Sequence, residues 1–470
     1  MAKKKALKDT PEPRQRMTCS RGGRKRDGKA SEETISQKLR KKIDCQIAAE
    51  TGCNPQGHGK CFGNQKKDRH SNIVHYIYKN TLGQSIHSQM RQCLQQPFLR
   101  SLDSYQLFRT ASPFEHRVTC LEWHPTHPST LAVGSKGGDI VLWDYEVIKE
   151  TSFIQGMGAV GSITDMKFNP FNPNQLFISS IRGTTRLQDF NGSLLRVYAR
   201  IENWDFAWYC SVDVSQSRQV VVTGDSMGRV LLLGIDGQAI WNHKLHKSKV
   251  THVEFNPRCD WLLATASVDH TVKLWDLRSI KDKSSFLHEM PHEKAVNSAY
   301  FSPADGSKLL TTDQYDQIRV YCSSDWSRPQ EVISHPHRQF QHLTPIKATW
   351  HPVYDLIVAG RYPDQRVRLN KLRTIDVFDA NTGSLVDQLH DFNAPGIKSI
   401  NKFSPMGDIL GSGMGFSILI WKREETVTNR VEKLMREMGE ELGLSGGAST
   451  SRAQRGTRHR PSGDGRGTAE

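Results

Sequence analysis

The sequence lacks a long apolar stretch. No hydrophobic run approaches the roughly 20 residues that a membrane-spanning helix requires, and no signal-peptide pattern follows the lysine-rich N-terminus. The nine cysteines show no regular spacing of the kind found in disulfide frameworks, and they are typical of reduced thiols. These absences predict a soluble intracellular protein.

The sequence also lacks a standard zinc-finger spacing. Cys45, Cys53 and Cys61 lie near His58 and His70, but the distances between them fit no known finger, and the segment is polar and rich in glycine. Free thiols in a loose segment are the favoured interpretation, with zinc binding as the alternative. We therefore expect no metal and no cofactor.

Acidic residues are scarce relative to basic ones. The chain has 49 Asp and Glu against 64 Lys and Arg, a formal net charge of +15, which favours phosphate-rich partners. Much of the excess lies in residues 1–30, where Arg24-Lys25-Arg26 is typical of nuclear-import or nucleic-acid segments. A merely solvated tail is the alternative, and we expect a nuclear protein.

A repeated unit begins near residue 112. Its first strand ends in an aromatic residue that usually precedes a proline turn, and later strands end in pairs such as Trp143-Asp144 and Trp275-Asp276. Ser211–Ser215 supplies one unit without proline, and the other six contain these turns: Trp123-His124-Pro125, Phe168-Asn169-Pro170, Phe255-Asn256-Pro257, Phe301-Ser302-Pro303, Trp350-His351-Pro352 and Phe403-Ser404-Pro405. The repeat length of roughly 40 to 50 residues predicts an all-β, seven-bladed WD-repeat β-propeller.

The flanking segments differ from the repeats in composition. Ile86, Met90, Leu94, Phe98 and Leu102 recur every four residues, which places one apolar stripe on a helix. The stripe either packs on the propeller or docks a partner, and Tyr105–Thr110 is predicted to latch the last blade to the first. The predicted organisation is a disordered basic tail (1–72), a helical segment (73–104), the propeller (105–423), a C-terminal helix (424–442) and a disordered Gly/Arg-rich tail (443–470).

Sequence motifs of catalysis are absent or incomplete. His246, Ser267 and Asp269 have the residue types of a hydrolase triad, but no nucleophile elbow or oxyanion-stabilising loop accompanies them. Together with Trp275 they resemble the buried hydrogen-bonded tetrad of WD repeats. Gly134–Gly138 lacks the spacing and following helix of a P-loop and is predicted to be a hairpin turn. We expect no enzymatic activity.

Strand order divides the loops between two faces of a propeller. In a blade with strands a to d, the d-to-a connections and b-to-c turns open on what we term the first face, and the other turns on the second face. The basic residues predicted on the first face are His116, Arg117, Lys136, Arg182, Lys244, Lys247, Lys249 and Lys294. Such a ring could neutralise a nucleic-acid backbone, with scattered solubilising charge as the alternative.

The connection into blade six, residues 335–343, is unusual for a propeller. It contains three imidazoles (His335, His337 and His342), Arg338 and an unpaired Phe340 in one projecting loop. This set matches a wedge, in which an apolar side chain enters a base stack while polar neighbours replace lost hydrogen bonds. Metal binding by the histidines, or packing of the phenylalanine under a neighbouring blade, are the alternatives.

At these residues the sequence resembles the small-subunit family of the damage-specific DNA-binding protein, nuclear WD-repeat proteins that find ultraviolet photolesions. The resemblance covers about Leu94 to Trp421 and is most specific at Leu94–Tyr105, Trp123–Pro128, Val133–Asp139, Ala264–Asp269 and the loop around Phe340.

The resemblance implies roles for particular residues. Phe340, Gln341 and His342 would form the wedge, Lys136, Lys249 and Arg338 would hold phosphates, and Trp208 would line a shallow lesion pocket. Because a lesion weakens stacking and pairing, extrusion costs less there than in intact DNA.

The second face also gains an implied role from the resemblance. Trp275-Asp276-Leu277-Arg278 is similar to the motif by which WD-repeat substrate receptors dock on the triple-propeller adaptor of cullin-RING ubiquitin ligases. The helical segment 73–104 would contribute to that docking. The implied partners are therefore damaged double-stranded DNA in chromatin and the ligase adaptor.

Two stretches depart from the family pattern. Gln365–Lys371 is shorter than expected, which affects the loop beside the wedge, and His116 stands where arginine is common, which would weaken one phosphate contact. The resulting hypothesis is a non-enzymatic sensor that binds ultraviolet-damaged DNA and recruits a ubiquitin ligase for nucleotide excision repair. The alternative is a peptide-binding scaffold or ligase receptor without lesion-specific DNA binding.

Overall fold

The computed structural model describes residues 87–147, 151–340, 342–363 and 372–424. Within these ranges the chain forms one α-helix, α1 (His87–Leu102), a short 3-10 turn (Ala159–Gly161) and 28 strands in seven four-stranded antiparallel sheets. The prediction of a seven-bladed β-propeller is confirmed. None of the helices in this part of the chain is long and apolar enough to cross a membrane.

The first four blades contain consecutive strands in the order a to d. Their bounds are β2 (Val118–Trp123), β3 (Thr130–Ser135), β4 (Ile140–Asp144) and β5 (Thr151–Ile154); β6 (Ile163–Phe168), β7 (Gln175–Ser180), β8 (Thr184–Asp189) and β9 (Leu194–Arg200); β10 (Tyr209–Ser215), β11 (Val220–Asp225), β12 (Arg229–Gly234) and β13 (Ala239–Lys244); β14 (Val250–Phe255), β15 (Leu262–Ser267), β16 (Thr271–Asp276) and β17 (Phe286–Pro291).

Blades five and six follow the same order, and blade seven joins the two ends of the described chain. Their bounds are β18 (Val296–Phe301), β19 (Lys308–Asp313), β20 (Gln317–Cys322) and β21 (Asp325–Ser334); β22 (Thr349–Trp350), β23 (Leu356–Gly360), β24 (Ile375–Asp379) and β25 (Leu385–Leu389); β26 (Lys398–Phe403), β27 (Leu410–Met414), β28 (Ser417–Arg423) and β1 (Tyr105–Ala111).

Strand β1 closes the ring. It pairs antiparallel with β28, from Tyr105 opposite Arg423 to Ala111 opposite Ile418, and becomes strand d of blade seven. The predicted latch is therefore confirmed. Closure pairs an edge that an open ring would leave exposed.

Burial follows the position of each strand in its blade. Strand b is enclosed on both sides, so β15 is buried along its whole length, whereas β9 and β13 at the outer rim are largely exposed. Strands buried on both faces carry continuous apolar or small residues, as Leu-Leu-Ala-Thr-Ala-Ser does in β15. The cores lie between adjacent blades, and a cluster spanning blades four and five includes Leu274, Met290 and Phe301.

The apolar stripe of α1 is only partly buried. Phe98 and Leu102 are buried in a cluster shared with blades six and seven, and the Phe98 ring lies 4.7 Å from that of His351. Leu94 is 46% exposed, and Gln95 is buried beside it with its amide donating to Asp379. Packing on the propeller thus accounts for the C-terminal half of the stripe, whereas Ile86 lies outside the described residues.

Blade four contains the hydrogen-bonded tetrad, with one correction. His246 Nδ1 lies 3.0 Å from Asp269, its Nε2 lies 2.7 Å from Thr265 Oγ1, and Trp275 Nε1 donates to the same hydroxyl. Ser267, which the sequence suggested as a member, instead donates to the Ser248 carbonyl. Thr265 occupies the position because it lies two residues earlier on the same side of β15.

The predicted tail segments lie outside the described residues. These are the basic tail (1–72), residues 73–86 of the helical segment, the C-terminal helix apart from Glu424, and the Gly/Arg-rich tail (443–470). The possible zinc cluster of Cys45, Cys53, Cys61, His58 and His70 lies there as well. The shortened stretch Gln365–Lys371 is also outside the described ranges.

Candidate nucleic-acid interface

The sequence suggested that the loop into blade six projects its three imidazoles, but of these the structure leaves only His342 exposed. His335 and His337 are buried, their rings stack with centroids 5.2 Å apart, and their Nδ1 atoms lie 3.0 Å from each other. Burial lowers the pKa of His335 to about 4. Arg338 and His342 are exposed, Phe340 is half-buried, and Gln341 lies outside the described residues.

Asp313 fixes the buried base of this loop. Its Oδ1 atom accepts hydrogen bonds from the amides of Tyr315, Asp316 and Gln317, and it lies 3.2 Å from His337 Nε2. One carboxylate therefore holds both the b-to-c turn of blade five and the start of the loop. Because the buried imidazole satisfies this carboxylate, the exposed half of the loop leaves from a fixed point.

The Phe340 ring is supported by neighbouring aromatic and cationic groups, so it is not unpaired as the sequence suggested. It meets the Tyr362 ring edge-to-face at 5.3 Å. The Arg338 guanidinium lies 5.4 Å from the Phe340 ring and 5.4 Å from the Tyr315 ring. These contacts hold the half-exposed Phe340 over the first face.

A cavity of about 300 Å³ opens beside Phe340, where the innermost strands of several blades approach one another. Its lining includes Phe340, Arg117, Lys136, Lys249 and Lys347. The loop crosses the cavity mouth, because the Thr344 hydroxyl donates to the Val118 carbonyl of blade one at 2.6 Å. Phe340 and four basic residues therefore line one cavity.

The predicted basic residues fall into two groups. Arg117, Lys136 and Lys249 line the cavity, whereas Lys244 is exposed and is not among its lining residues. Burial lowers the pKa of Arg117. Lys249 Nζ lies 5.8 Å from the centre of the Trp208 ring.

Trp208 and His116 lie beside the cavity lining rather than in it. Trp208 is half-buried, and its amide donates to Ser226 Oγ. A Cβ atom placed on Gly137 would lie 2.8 Å from His116 Nδ1, so the glycine allows the imidazole to pack against the turn that carries Lys136.

Along the innermost strands beside the cavity, acidic and basic side chains alternate between blades. Lys402 lies 2.5 Å from Glu122, and Lys167 contacts both Glu122 at 3.7 Å and Asp213 at 3.8 Å. Burial raises the pKa of Glu122, but the two lysines outweigh it and the pKa falls. Burial raises the pKa of the neighbouring Glu254 to about 8. Lysines 167 and 402 are thus occupied by carboxylates.

The second face contains the residues of the possible ligase motif. Arg278 donates to both carboxylate oxygens of Asp276, at 2.9 and 2.8 Å, and its guanidinium lies 4.5 Å from the Trp261 ring. Trp275 is fully buried and Asp276 is buried, whereas the Arg278 side chain is 50% exposed. Arg278 is therefore the residue of this motif that is available at the surface.

Helix α1 lies on the same second face. Arg91 forms an ion pair with Asp305 at 3.3 Å, in the a-to-b turn of blade five. Leu94 is exposed on this helix, and the half-exposed Arg278 follows strand c of blade four, whereas Phe340 lies in a first-face connection. The structure thus separates two groups of unusual residues by the thickness of the propeller.

Sequence reasoning missed Asp313, Tyr315, Tyr362 and Lys347. Asp313 could have been found, because Asp225 also stands at the end of a strand b, in blade three, and accepts backbone amides of the following turn. The aromatic supports and Lys347 gave no sequence signal, because their roles depend on which loops meet at the cavity.

Comparisons with known proteins agree with this architecture. The family model described as WD domain, G-beta repeat matches residues 108–144 and 237–276. A Danio rerio protein named DNA damage-binding protein 2 is 60% identical over 470 residues, which is 100% of this chain and 94% of that protein. Proteins of the same name from Gallus gallus and Mus musculus are 64% identical over 378 residues (78% and 75% of the two chains) and 57% identical over 364 residues (77% and 84%).

Proposed function

The chain belongs to the DNA damage-binding protein 2 family, and on this premise we propose that it is a non-catalytic sensor of ultraviolet-damaged duplex DNA that recruits a ubiquitin ligase for nucleotide excision repair. The supporting observation is the half-exposed Phe340, held by Tyr362 and Arg338 at the mouth of a cavity ringed by basic residues. The proposed setting is nuclear chromatin.

In the proposed mechanism, Phe340, Gln341 and His342 form the wedge. The phenyl ring enters the stack where a lesion has already weakened it, and the polar neighbours replace base-pair hydrogen bonds. Lys136, Lys249 and Arg338, with His116, Arg117 and Lys244, neutralise the surrounding phosphates. Trp208, beside Lys249, is proposed to contact the extruded nucleotides.

The wedge is tested by binding to lesion-containing and intact duplexes at one fixed salt concentration. Phe340→Ala and His342→Ala should each lower the ratio of the two affinities. Phe392→Ala is a matched control, because Phe392 is 89% exposed in another first-face connection. An unchanged ratio in both loop variants would contradict the wedge mechanism.

The phosphate contacts are tested by salt dependence. Lys136→Glu and Lys249→Glu should weaken binding to both duplexes and flatten the plot of affinity against salt, because fewer counterions are released. Lys281→Glu, on an exposed second-face turn, should change neither quantity. Saturable duplex binding also separates this proposal from a peptide-binding scaffold, the alternative function.

For the ligase, we propose that Trp275, Asp276 and Arg278 form the adaptor motif. Trp275 and Asp276 are buried and help to position Arg278, which donates to the Asp276 carboxylate. Residues 73–104 are proposed to extend the docking surface. Co-purification with the triple-propeller adaptor should fall with Arg278→His or deletion of residues 73–104, and it should survive Phe340→Ala. Arg258→His on the same face is the control, and full recovery of the adaptor with both changes would refute this assignment.

A further inference from the structure

Lys347 differs from the neighbouring lysines Lys167 and Lys402. It precedes β22 and lines the cavity beneath the loop that carries Phe340. Lys167 and Lys402 contact Glu122, whereas no carboxylate oxygen of the described residues lies within 4 Å of Lys347 Nζ. Its ammonium group therefore enters the cavity without an ion-pair partner in this part of the chain.

Asp165 exerts the strongest attraction on Lys347, but its oxygens are engaged elsewhere. Oδ2 accepts hydrogen bonds from the Ser211 hydroxyl at 2.6 Å and the Val212 amide at 3.1 Å, and Oδ1 accepts from the Met166 amide. Burial lowers the pKa of Lys347 because this attraction does not offset desolvation. Burial thus disfavours the charged form of the ammonium group.

Three threonine hydroxyls of the lining already have partners. The hydroxyls of Thr119, Thr164 and Thr251 each donate to a backbone carbonyl, of Gly134, Tyr209 and Val296 respectively. These hydroxyls keep no proton to offer a ligand. An ammonium group has three donors, so Lys347 can supply hydrogen bonds that these residues cannot.

The position of Lys347 is fixed by its neighbours along the chain. The Thr344 hydroxyl donates to the Val118 carbonyl at 2.6 Å, and the Ala348 amide donates to Thr312 Oγ1 at 3.0 Å. The segment is therefore anchored to blade one and to blade five. The cavity volume of about 300 Å³ lies at the lower end of the range for small-ligand pockets.

We propose that Lys347 contacts the lesion itself, with its ammonium group donating hydrogen bonds to the carbonyl oxygens of the extruded pyrimidines. This inference rests on the proposed function. Pyrimidine carbonyls lose their pairing or hydration partners when the bases leave the helix, so an acceptor and an unpaired donor would meet in the cavity. Phosphates remain on the strand outside, where Lys136 and Lys249 lie at the mouth.

The test compares Lys347→Met with Lys249→Met on lesion-containing and intact duplexes over a range of salt concentrations. Lys347→Met should weaken lesion binding by about 10-fold to 100-fold, the effect of one charged hydrogen bond, and leave intact-duplex binding and the salt slope unchanged. Lys249→Met should weaken both duplexes and flatten the slope. The thermal unfolding midpoint of Lys347→Met should equal or exceed that of the parent, because no ion pair is lost.

Two results would overturn the inference. Equal weakening of both duplexes with a flatter slope would make Lys347 a phosphate contact, and an unchanged affinity ratio would exclude any role in selectivity. Lys347→Gln, which keeps a polar group but no charge, repeats the test if the methionine variant unfolds. Failure of the proposed function is distinguishable, because the parent protein itself would then show no preference for the lesion.

Discussion

Replacing Asp313 by alanine should impair lesion selectivity without touching a DNA-facing residue. The change removes the carboxylate that accepts three backbone amides, and it removes one of the two Asp313 oxygens that lie near His337 Nε2. Hydrogen bonds to a charged group contribute about 1.5–3 kcal/mol each, but the turn is half-exposed and water can replace part of the loss. We expect unfolding to require about 3–4 kcal/mol less free energy.

The same change should loosen the loop. His337 Nε2 would keep the Asp313 carbonyl, 3.1 Å away, but it would lose the carboxylate that ties it to the b-to-c turn. Because the turn and the base of the loop would then be less rigidly joined, part of the loop must be ordered on each binding event, and the ratio of lesion to intact affinity should fall roughly 10-fold, which corresponds to about 1.4 kcal/mol. The assays are urea unfolding and duplex binding at fixed salt, at a temperature where the variant remains folded.

Asp225→Ala is the matched control. Asp225 accepts the amides of Met227 and Arg229 in the equivalent turn of blade three, but it has no contact with the loop. It should lower stability by a comparable amount and leave the affinity ratio unchanged. If Asp225→Ala lowers the ratio as much as Asp313→Ala does, general destabilisation explains the effect and the reasoning about the loop is wrong.

Two further predictions concern stability. Phe98→Ala should lower the free energy of unfolding by about 3–5 kcal/mol, because the ring is buried among blades six and seven. Leu94→Ala, at an exposed position of the same helix, should change it by about 0.5 kcal/mol or less. Equal effects of the two substitutions in urea unfolding would contradict the packing of α1. Burial lowers the pKa of His292, His335 and His351 to about 4, whereas the value in the unfolded chain is near 6.5. Because the unfolded chain therefore binds protons first, the free energy of unfolding should fall by roughly 1 kcal/mol per histidine as the pH drops from 7.5 to 5.5. An unchanged free energy of unfolding across that interval would refute this prediction.

The repeat architecture was predictable because each blade has its own turn signal. Turns such as Trp123-His124-Pro125 follow strand a directly, and strand periodicity placed most of the loops on the correct face. The same local logic found β1 as the closing strand. It located Arg278 on the face opposite Phe340 without any long-range information.

The site was less predictable wherever a role depended on contacts across blades. The sequence predicted that His335 and His342 both project from the loop. His335 and His337, at the base of the loop, instead lie buried against Asp376 and Asp313, which belong to other parts of the chain, and His342 near the tip remains exposed. Thr265 replaced Ser267 in the tetrad for a similar reason, since the position along β15 decides which hydroxyl meets His246. Leu94 remained exposed because helix α1 rests on the propeller through its C-terminal half.

Strand β1 also has a consequence for biosynthesis. It is made first among the strands, yet its hydrogen-bonding partner β28 is made last, with roughly 300 residues between them. At the usual rate of about 5–20 residues per second, the ribosome needs about 15–60 s to supply that partner. During this interval blade seven does not exist, and the apolar side of β1 is open to chaperones or to pairing with another nascent chain.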